Sequence, residues 1–351
     1  IIFAIYKNAF YLTCNACKNK LMNYQENLIS RINGSLPAGQ SLAPILADLL
    51  DVSMDSAYRR ISGKTLFSLD ESVRIAEHFN IGLDSLKNPD QLNATISFTQ
   101  LDSNIESFKL YLQGLLQNLK LIGSGEDGRL YYSCLDIPVF QNLSLPNLAA
   151  FKMYYWMHGV MEVEELKGLQ LEKGTIDKEL IEFGQAIYEQ YSRIPSVELW
   201  TTNTLSSTLR QIEFYHNAGH VRSREVLEDL YTDLETLVDR QERMAEKGTK
   251  VIDRIPEENE KHNFSLYESD IELSSNGALA IVNGVRISFI GHLTFNSLVC
   301  DHPKLNEMTY NWYDRLVRKS TLISEVSAKQ RYQFISHLKK EIKESRERIL
   351  G

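Results

Sequence analysis

The sequence predicts an α+β chain, mainly helical, in which a small all-α N-terminal domain precedes a larger mixed domain carrying an antiparallel hairpin sheet. Three observations predict it. Short helical runs with N-cap signals fill the stretch from Tyr24 to Leu86. "LAAFKMYYWMHGVM", Leu148 to Met161, is apolar almost all round, as a helix at the centre of a core must be. Between Phe264 and Val299 apolar residues alternate around Asn276-Gly277 and Asn283-Gly284, and Asn-Gly in such a setting is the strongest short-range hairpin signal.

The chain has 351 residues, 43% hydrophobic and 24% charged, which suits an ordinary globular protein of two domains. No apolar run reaches the roughly 18–20 residues that a membrane-spanning helix needs, so no membrane partner is expected. Residues 1–23 are expected to be a weakly ordered leader, with Met22 as a plausible start. Their apolar stretch is broken by Lys7 and no small-residue cleavage site follows, which makes a poor signal peptide. Of the four cysteines, Cys14 and Cys17 form a C-x-x-C without a second pair, while Cys134 and Cys300 stand alone. They read as incidental thiols of a reducing cytoplasm, with no metal and no cofactor implied.

Within the first domain, residues 24–90, Ser41 is placed to cap a helix from Leu42, with Ile45, Leu46, Leu49 and Leu50 on its apolar face. Ser68 and Glu71 have the spacing of a capping box for a helix to about Phe79. Asn88, Pro89 and Asp90 punctuate its end, and residues 91–101 read as a polar linker. In the second domain, residues 102–351, helices are expected over Ile105 to Ile122, Leu148 to Met161 and Thr204 to Asn217. Strands are expected over Leu130 to Ile137 and Val197 to Trp200, and an antiparallel meander over Phe264 to Val299. Ser327 with Gln330 is placed to cap a last helix to about Ile349.

One stretch carries the functional reading: "ADLLDVSMDSAYRRISGKT", Ala47 to Thr65. Ala47 is small where two helices cross, Val52 is apolar in a turn, and Ser53 is a ready N-cap. Ala57 and Ile61, four apart, turn one face of the second helix to the core. Met54, Asp55, Tyr58 and Arg59 are then left outward. Such a helix enters the DNA major groove by its N-terminal end, and Arg suits guanine edges and phosphates. Gly63 suits a left-handed position after the helix, from which Lys64 can reach a phosphate. The candidate DNA-binding set is Ser53, Met54, Asp55, Ser56, Tyr58, Arg59, Arg60 and Lys64.

"LADLLDVSMDSAYRRISGK" followed by "LDESVRIAEHFNIGLDSL" resembles the Cro/repressor-type, lambda-repressor-like helix-turn-helix, most of all the BetR-type regulators. The resemblance covers roughly Tyr24 to Leu86. The remainder is similar in texture to the partner region of large single-chain regulators of Bacteroidetes-type bacteria. It implies a transcription regulator that binds double-stranded DNA as a homodimer. Asp51 stands where that family usually has a turn glycine, a place Asp tolerates. Asp55 would repel phosphate but could accept a hydrogen bond from a cytosine amino group. Charge pulls the other way: from Tyr24 to Asp90 six Lys and Arg face nine Asp and Glu, a net of -3. DNA-binding domains are usually basic, so a protein-interaction adaptor is the rival expectation.

"GSGEDG", Gly123 to Gly128, fits the dinucleotide fingerprint by letter, but a helix precedes it and a strand follows, the reverse of the required order. His216 and His220 are four apart, yet Asn217 and Gly219 between them read as a helix end. No nucleophile elbow occurs, and no enzyme is expected. Leu227, Leu230, Leu234 and Leu237 repeat by three and four, either as a dimerisation seam or as the inner face of an amphipathic helix. Tyr154 and Trp156 are candidates to line a pocket for a small-molecule effector where the apolar helix meets the sheet.

Overall fold

The structure is a computed structural model that describes residues 24–36, 40–79, 81–86, 94–251, 262–271 and 276–351. The expected leader with Met22, Cys14 and Cys17, and the punctuation at Asn88-Pro89-Asp90, lie outside them. The chain divides into two compact units at Thr95/Ile96.

Among its described residues the regular elements of the first unit are helical: α1 (Tyr24–Ser35), α2 (Leu42–Leu50), α3 (Met54–Ile61), α4 (Leu69–His78) and a 3₁₀ turn at Leu83–Leu86. Its core gathers Leu28, Ile32, Leu42, Leu46, Leu50, Ala57, Ile75 and Leu86. On α2 the fully buried residues are Leu42, Ala43, Leu46 and Leu50, while Ile45 and Leu49 are half-buried. Ser41 occupies the N-cap position without using its hydroxyl, whereas Ser53 caps α3 and Ser68 with Glu71 completes the capping box of α4.

The second unit is mixed. In order it runs β1 (Ser97–Phe98), α5 (Ile105–Ser124), β2 (Arg129–Cys134), α6 (Val139–Asn142), α7 (Pro146–Tyr154), α8 (Lys178–Ser192), β3 (Ser196–Trp200), α9 (Ser206–Asn217), α10 (Arg224–Lys247), β4 (Phe264–Glu268), β5 (Gly277–Val282), β6 (Val285–His292), β7 (Asn296–Cys300), α11 (Pro303–Lys319), β8 (Thr321–Leu322) and α12 (Ala328–Leu350). Among the described residues eight strands form one sheet in the order β1-β7-β6-β5-β2-β3-β4-β8. β2, β3 and β4 are parallel, joined by helical crossovers, and the other pairings are antiparallel.

Alternation along the strands splits the core in two. Leu130, Tyr132 and Cys134 of β2 and Trp200 of β3 face the large cluster with α5 and α7 to α10, while Leu199, Leu279, Tyr313 and Leu316 pack with α11.

Several expectations change. The meander is β5-β6-β7 only, because β4 lies on the far side of β2 and β3, parallel to β3. Asn283-Gly284 is the true hairpin turn, with φ of 49° and 76°. Asn276-Gly277 is no turn between strands. Gly277 opens β5, and the Asn276 side-chain oxygen accepts from the backbone N–H of Leu135 (2.8 Å) and Asp136 (3.0 Å). Ser97 and Phe98, assigned to the linker, pair with Val299 and Leu298 as an edge strand. The apolar helix is real but not uniform: α7 passes into a π-helical turn at Tyr155–Val160. Ser327 precedes α12 in a left-handed conformation and makes no side-chain cap.

The leucine repeat is not a dimer seam. Leu227, Leu230, Leu234 and Leu237 are buried within their own unit, where α10 packs on α7, α12 and β4. Burying each is worth about 1.5–3 kcal/mol, so none is free to meet a second copy. Asp233 on the same helix accepts from the backbone N–H of Asn147 (2.7 Å) and Leu148 (3.0 Å), capping α7 from outside. The helix end read between His216 and His220 is present: α9 stops at Asn217 and Gly219 has φ of 79°.

Lys250 is enclosed. Its ammonium donates to the carbonyls of Tyr191 (3.1 Å) and Ile194 (2.5 Å) and lies 3.6 Å from the Tyr191 ring centre. Burial pushes its pKa down to about 7, against the pull of Glu198. An unfolded Lys titrates near 10.4, so between about pH 7 and 10.4 the unfolded chain binds more protons and this group makes stability rise with pH. Below about pH 7 its cost is complete. Lys250→Met, which lacks this group, should therefore compare less favourably with the parent in melting temperature at pH 9.5 than at pH 7. Thermal melts of both chains across this range check it.

Candidate functional site

The outward face of α3 is built from its two ends. Asp51 is left-handed (φ 54°, ψ 52°), and the Asp51 and Val52 N–H groups close on the carbonyls of Asp48 and Ala47. Ser53 Oγ accepts from Ser56 N at 3.3 Å. At the other end Gly63 has φ of 72°, the region that favours glycine, and the Lys64 and Thr65 N–H groups both fold back onto the Arg59 carbonyl. α3 is thus a short helix held in a fixed turn on each side. Ala57 is its buried anchor.

Met54, Asp55, Tyr58, Arg59 and Lys64 are exposed, as the spacing predicts, and Tyr58 keeps 55% of its surface. Ser53 is exposed although its hydroxyl serves as the cap. Two members of the predicted set are turned elsewhere. Arg60 points to α4: its guanidinium donates to Glu71 Oε1 (2.8 Å) and to Ser56 Oγ (2.5 Å). Ser56 is half-buried with its hydroxyl engaged by that guanidinium. Successive helical residues are about 100° apart, so Arg59 and Arg60 cannot share a face. Arg60 is a bolt between α3 and α4, and the Arg60 guanidinium holds the Glu71 carboxyl below its usual range.

Gln25, on α1, is the residue that sequence reasoning missed. Its amide donates to the carbonyls of Arg60 (2.7 Å) and Thr65 (2.8 Å) and accepts from Phe67 N (2.7 Å). It fastens the loop that carries Lys64. Nothing local marks it, because its partners are 35 to 42 residues away.

The second unit holds a cavity of about 100 Å³ between α5, β2, α6 and the β5-β7 meander. Trp156 lines it, stacked on Phe295 with ring centres 5.2 Å apart. Tyr154 does not reach it. It is wholly buried, stacks on His158 and donates its hydroxyl to the Leu169 carbonyl at 2.6 Å. Asp136 at the cavity accepts from the buried Lys152 ammonium (2.9 Å) and the Thr208 hydroxyl (2.7 Å). Burial pulls the Lys152 pKa down, and Asp136 opposes it. Among the described residues no group of three or more metal-ligating side chains occurs, and no helix is long and apolar enough to cross a membrane.

Removing one partner of the Arg60–Glu71 pair strands the other and loosens the capping box. Arg60→Met should lower the stability of the helical unit by about 1–3 kcal/mol, whereas Arg59→Ala should leave it within about 0.5 kcal/mol of the parent. Denaturant titrations of the full chain, followed by hydrogen exchange at α3 and α4, distinguish the two.

Comparison with protein-family models, with curated proteins and with solved structures gives no match to this chain.

Proposed function

We propose that the chain is a sequence-specific, DNA-binding transcription regulator of the cytoplasm, whose second unit senses a small molecule or mediates assembly. The observation that carries it is the outward face of α3. Tyr58 and Arg59 stand free on a helix capped at Ser53, and Lys64 follows the left-handed Gly63 on a loop fastened by Gln25. That is a rigid short helix offering an arginine for base edges and a lysine for phosphate. The withdrawal of Arg60 narrows the set: Tyr58 and Arg59 read, Lys64 anchors, and Ser53, Met54 and Asp55 line the entering end.

The acidic balance of this unit limits what one copy can hold, so two copies on a pair of half-sites one helical turn apart, about 34 Å, is the arrangement proposed. With the α10 leucines committed to the core, the second copy must use another surface.

A second reading is favoured by one observation. Leu66 and Leu69, close in sequence to Lys64, are 71% and 76% exposed, and with Tyr58 they offer apolar surface that DNA does not require. A protein partner would use it.

Salt separates the two. A regulator's retention on duplexes selected from random DNA falls steeply with salt, while an apolar protein contact does not. On such a duplex Arg59→Ala should cost about 1–3 kcal/mol and relax preference at one base position. Lys64→Ala should weaken binding evenly across sequences and reduce the salt slope by about one. Both variants binding like the parent at several salt concentrations would remove the proposed docking.

A further inference from the structure

His158 stands on the π-helical turn Tyr155–Val160, a distortion of helix geometry frequent at functional sites. Its ring is packed among other rings. It stacks on Tyr154, with ring centres 5.0 Å apart and planes 17° apart, and meets Tyr215 edge-on at 5.9 Å and His220 edge-on at 4.6 Å. The next residue leaves no slack, since a Cβ on Gly159 would lie 2.2 Å from the Tyr215 hydroxyl oxygen. His158 also lines a cleft of about 560 Å³, together with Glu162, Arg210 and His220.

One nitrogen decides what this ring tolerates. His158 Nδ1 is buried and has no hydrogen-bond partner. A neutral imidazole accommodates that by carrying its proton on Nε2, which leaves Nδ1 a bare acceptor. An imidazolium does not, because both nitrogens become donors, and a charged donor without a partner is costly wherever water is excluded. A second imidazole at 4.6 Å adds repulsion once it too is charged. The titratable and charged groups around the ring are Tyr154, Tyr155, Glu162, Arg210, Tyr215 and His220. Glu162 is the one anion among them, and it is exposed at the cleft. Burial and the neighbouring His220 hold the His158 pKa below the ordinary histidine range.

We infer that His158 is an acid-sensitive latch. Neutral, it closes the π-helical turn against Tyr154 and Tyr215. Protonated, it leaves the stack for the cleft, where water and Glu162 receive the charge, and the turn opens. The sign follows from linkage. A histidine free of the fold titrates near 6.5, so below about pH 6.5 the open turn binds more protons than the closed one. The closed form therefore loses stability as the pH falls, until its own pKa is passed. The latch belongs to the second unit and is independent of whether α3 binds DNA.

The test is hydrogen exchange of the full chain between about pH 7.5 and 5, with rates corrected for the intrinsic effect of pH. The probes are the Met161 and Val163 amides, which donate to the Trp156 and Met157 carbonyls at 2.9 Å across the turn. Their protection should fall on acidification, about tenfold for each pH unit by which His158 titrates below 6.5. Leu199 in β3 should keep its protection. His158→Phe, which keeps a ring and does not titrate, should show the same protection at both ends of the range, and its melting curve reports whether it folds. Glu162→Gln, a change at the surface, should move the loss to lower pH. Protection in the parent that does not change with pH overturns the inference. So does a loss that survives in His158→Phe, or one that Glu162→Gln leaves at the same pH.

Discussion

Glu198 sets the constraint on which the large unit depends. It sits in the middle of β3, the middle strand of the parallel trio β2-β3-β4, with no surface open to water. A carboxylate so placed must be surrounded by donors, since an uncompensated buried charge costs several kcal/mol. It receives the Tyr191 hydroxyl from α8, Gln141 Nε2 from α6 (3.2 Å) and Trp200 Nε1 from its own strand (2.7 Å). Lys250, from the crossover that follows β3, lies over the same Tyr191 ring, and Glu198 opposes the fall of its pKa. These partners come from both crossovers flanking β3, so one buried group fixes where each returns to the sheet. It also fixes register. A one-residue slip of β3 would turn Glu198 to the face covered by α11, among Leu279, Tyr313 and Leu316, and would bring Leu199 to the donors.

The small unit repeats this logic on a smaller scale. Arg59 and Arg60 are chemically identical and adjacent, yet geometry gives them opposite duties. Arg60 is consumed by Glu71, which is also the side chain that closes the capping box on Ser68 N at 2.8 Å. One carboxylate therefore serves both the start of α4 and the docking of α3. The outward position of Arg59 follows from the inward position of Arg60. The free face of α3 is rigid because the face behind it is bonded.

Most of what was legible in the sequence is what short spacings decide. The Ser68–Glu71 capping box, the Ser53 cap, the left-handed Asp51 and Gly63 and the turn at Asn283-Gly284 each depend on residues within four positions of one another. The apolar run around Tyr154 was legible because a helix without a polar face has nowhere to go but inward. What was not legible is partnership over distance. Local alternation cannot tell that Phe264–Glu268 pairs in parallel with β3, that Asn276 serves Leu135 and Asp136, or that Gln25 reaches Thr65. The leucines of α10 show the limit well: the same spacing serves a partner helix of a second copy or one of the same chain, and only the rest of the fold decides. Ser41 and Ser327 hold N-cap positions without capping, because residue type alone does not orient a hydroxyl.

The sheet also divides by how firmly it is held. The parallel half, β2-β3-β4, is covered on both faces and locked by Glu198. The antiparallel half is not: β6 buries only Ser288 fully, and β7 only its two ends. Elements with few buried apolar contacts supply the low-energy openings of a native protein. The cavity lies against this looser half, through Phe289, Thr294 and Asn296. The meander therefore has fewer fully buried residues than β3 with which to resist local opening. Its outer strand, β7, pairs at Val299 with Ser97 of the edge strand β1.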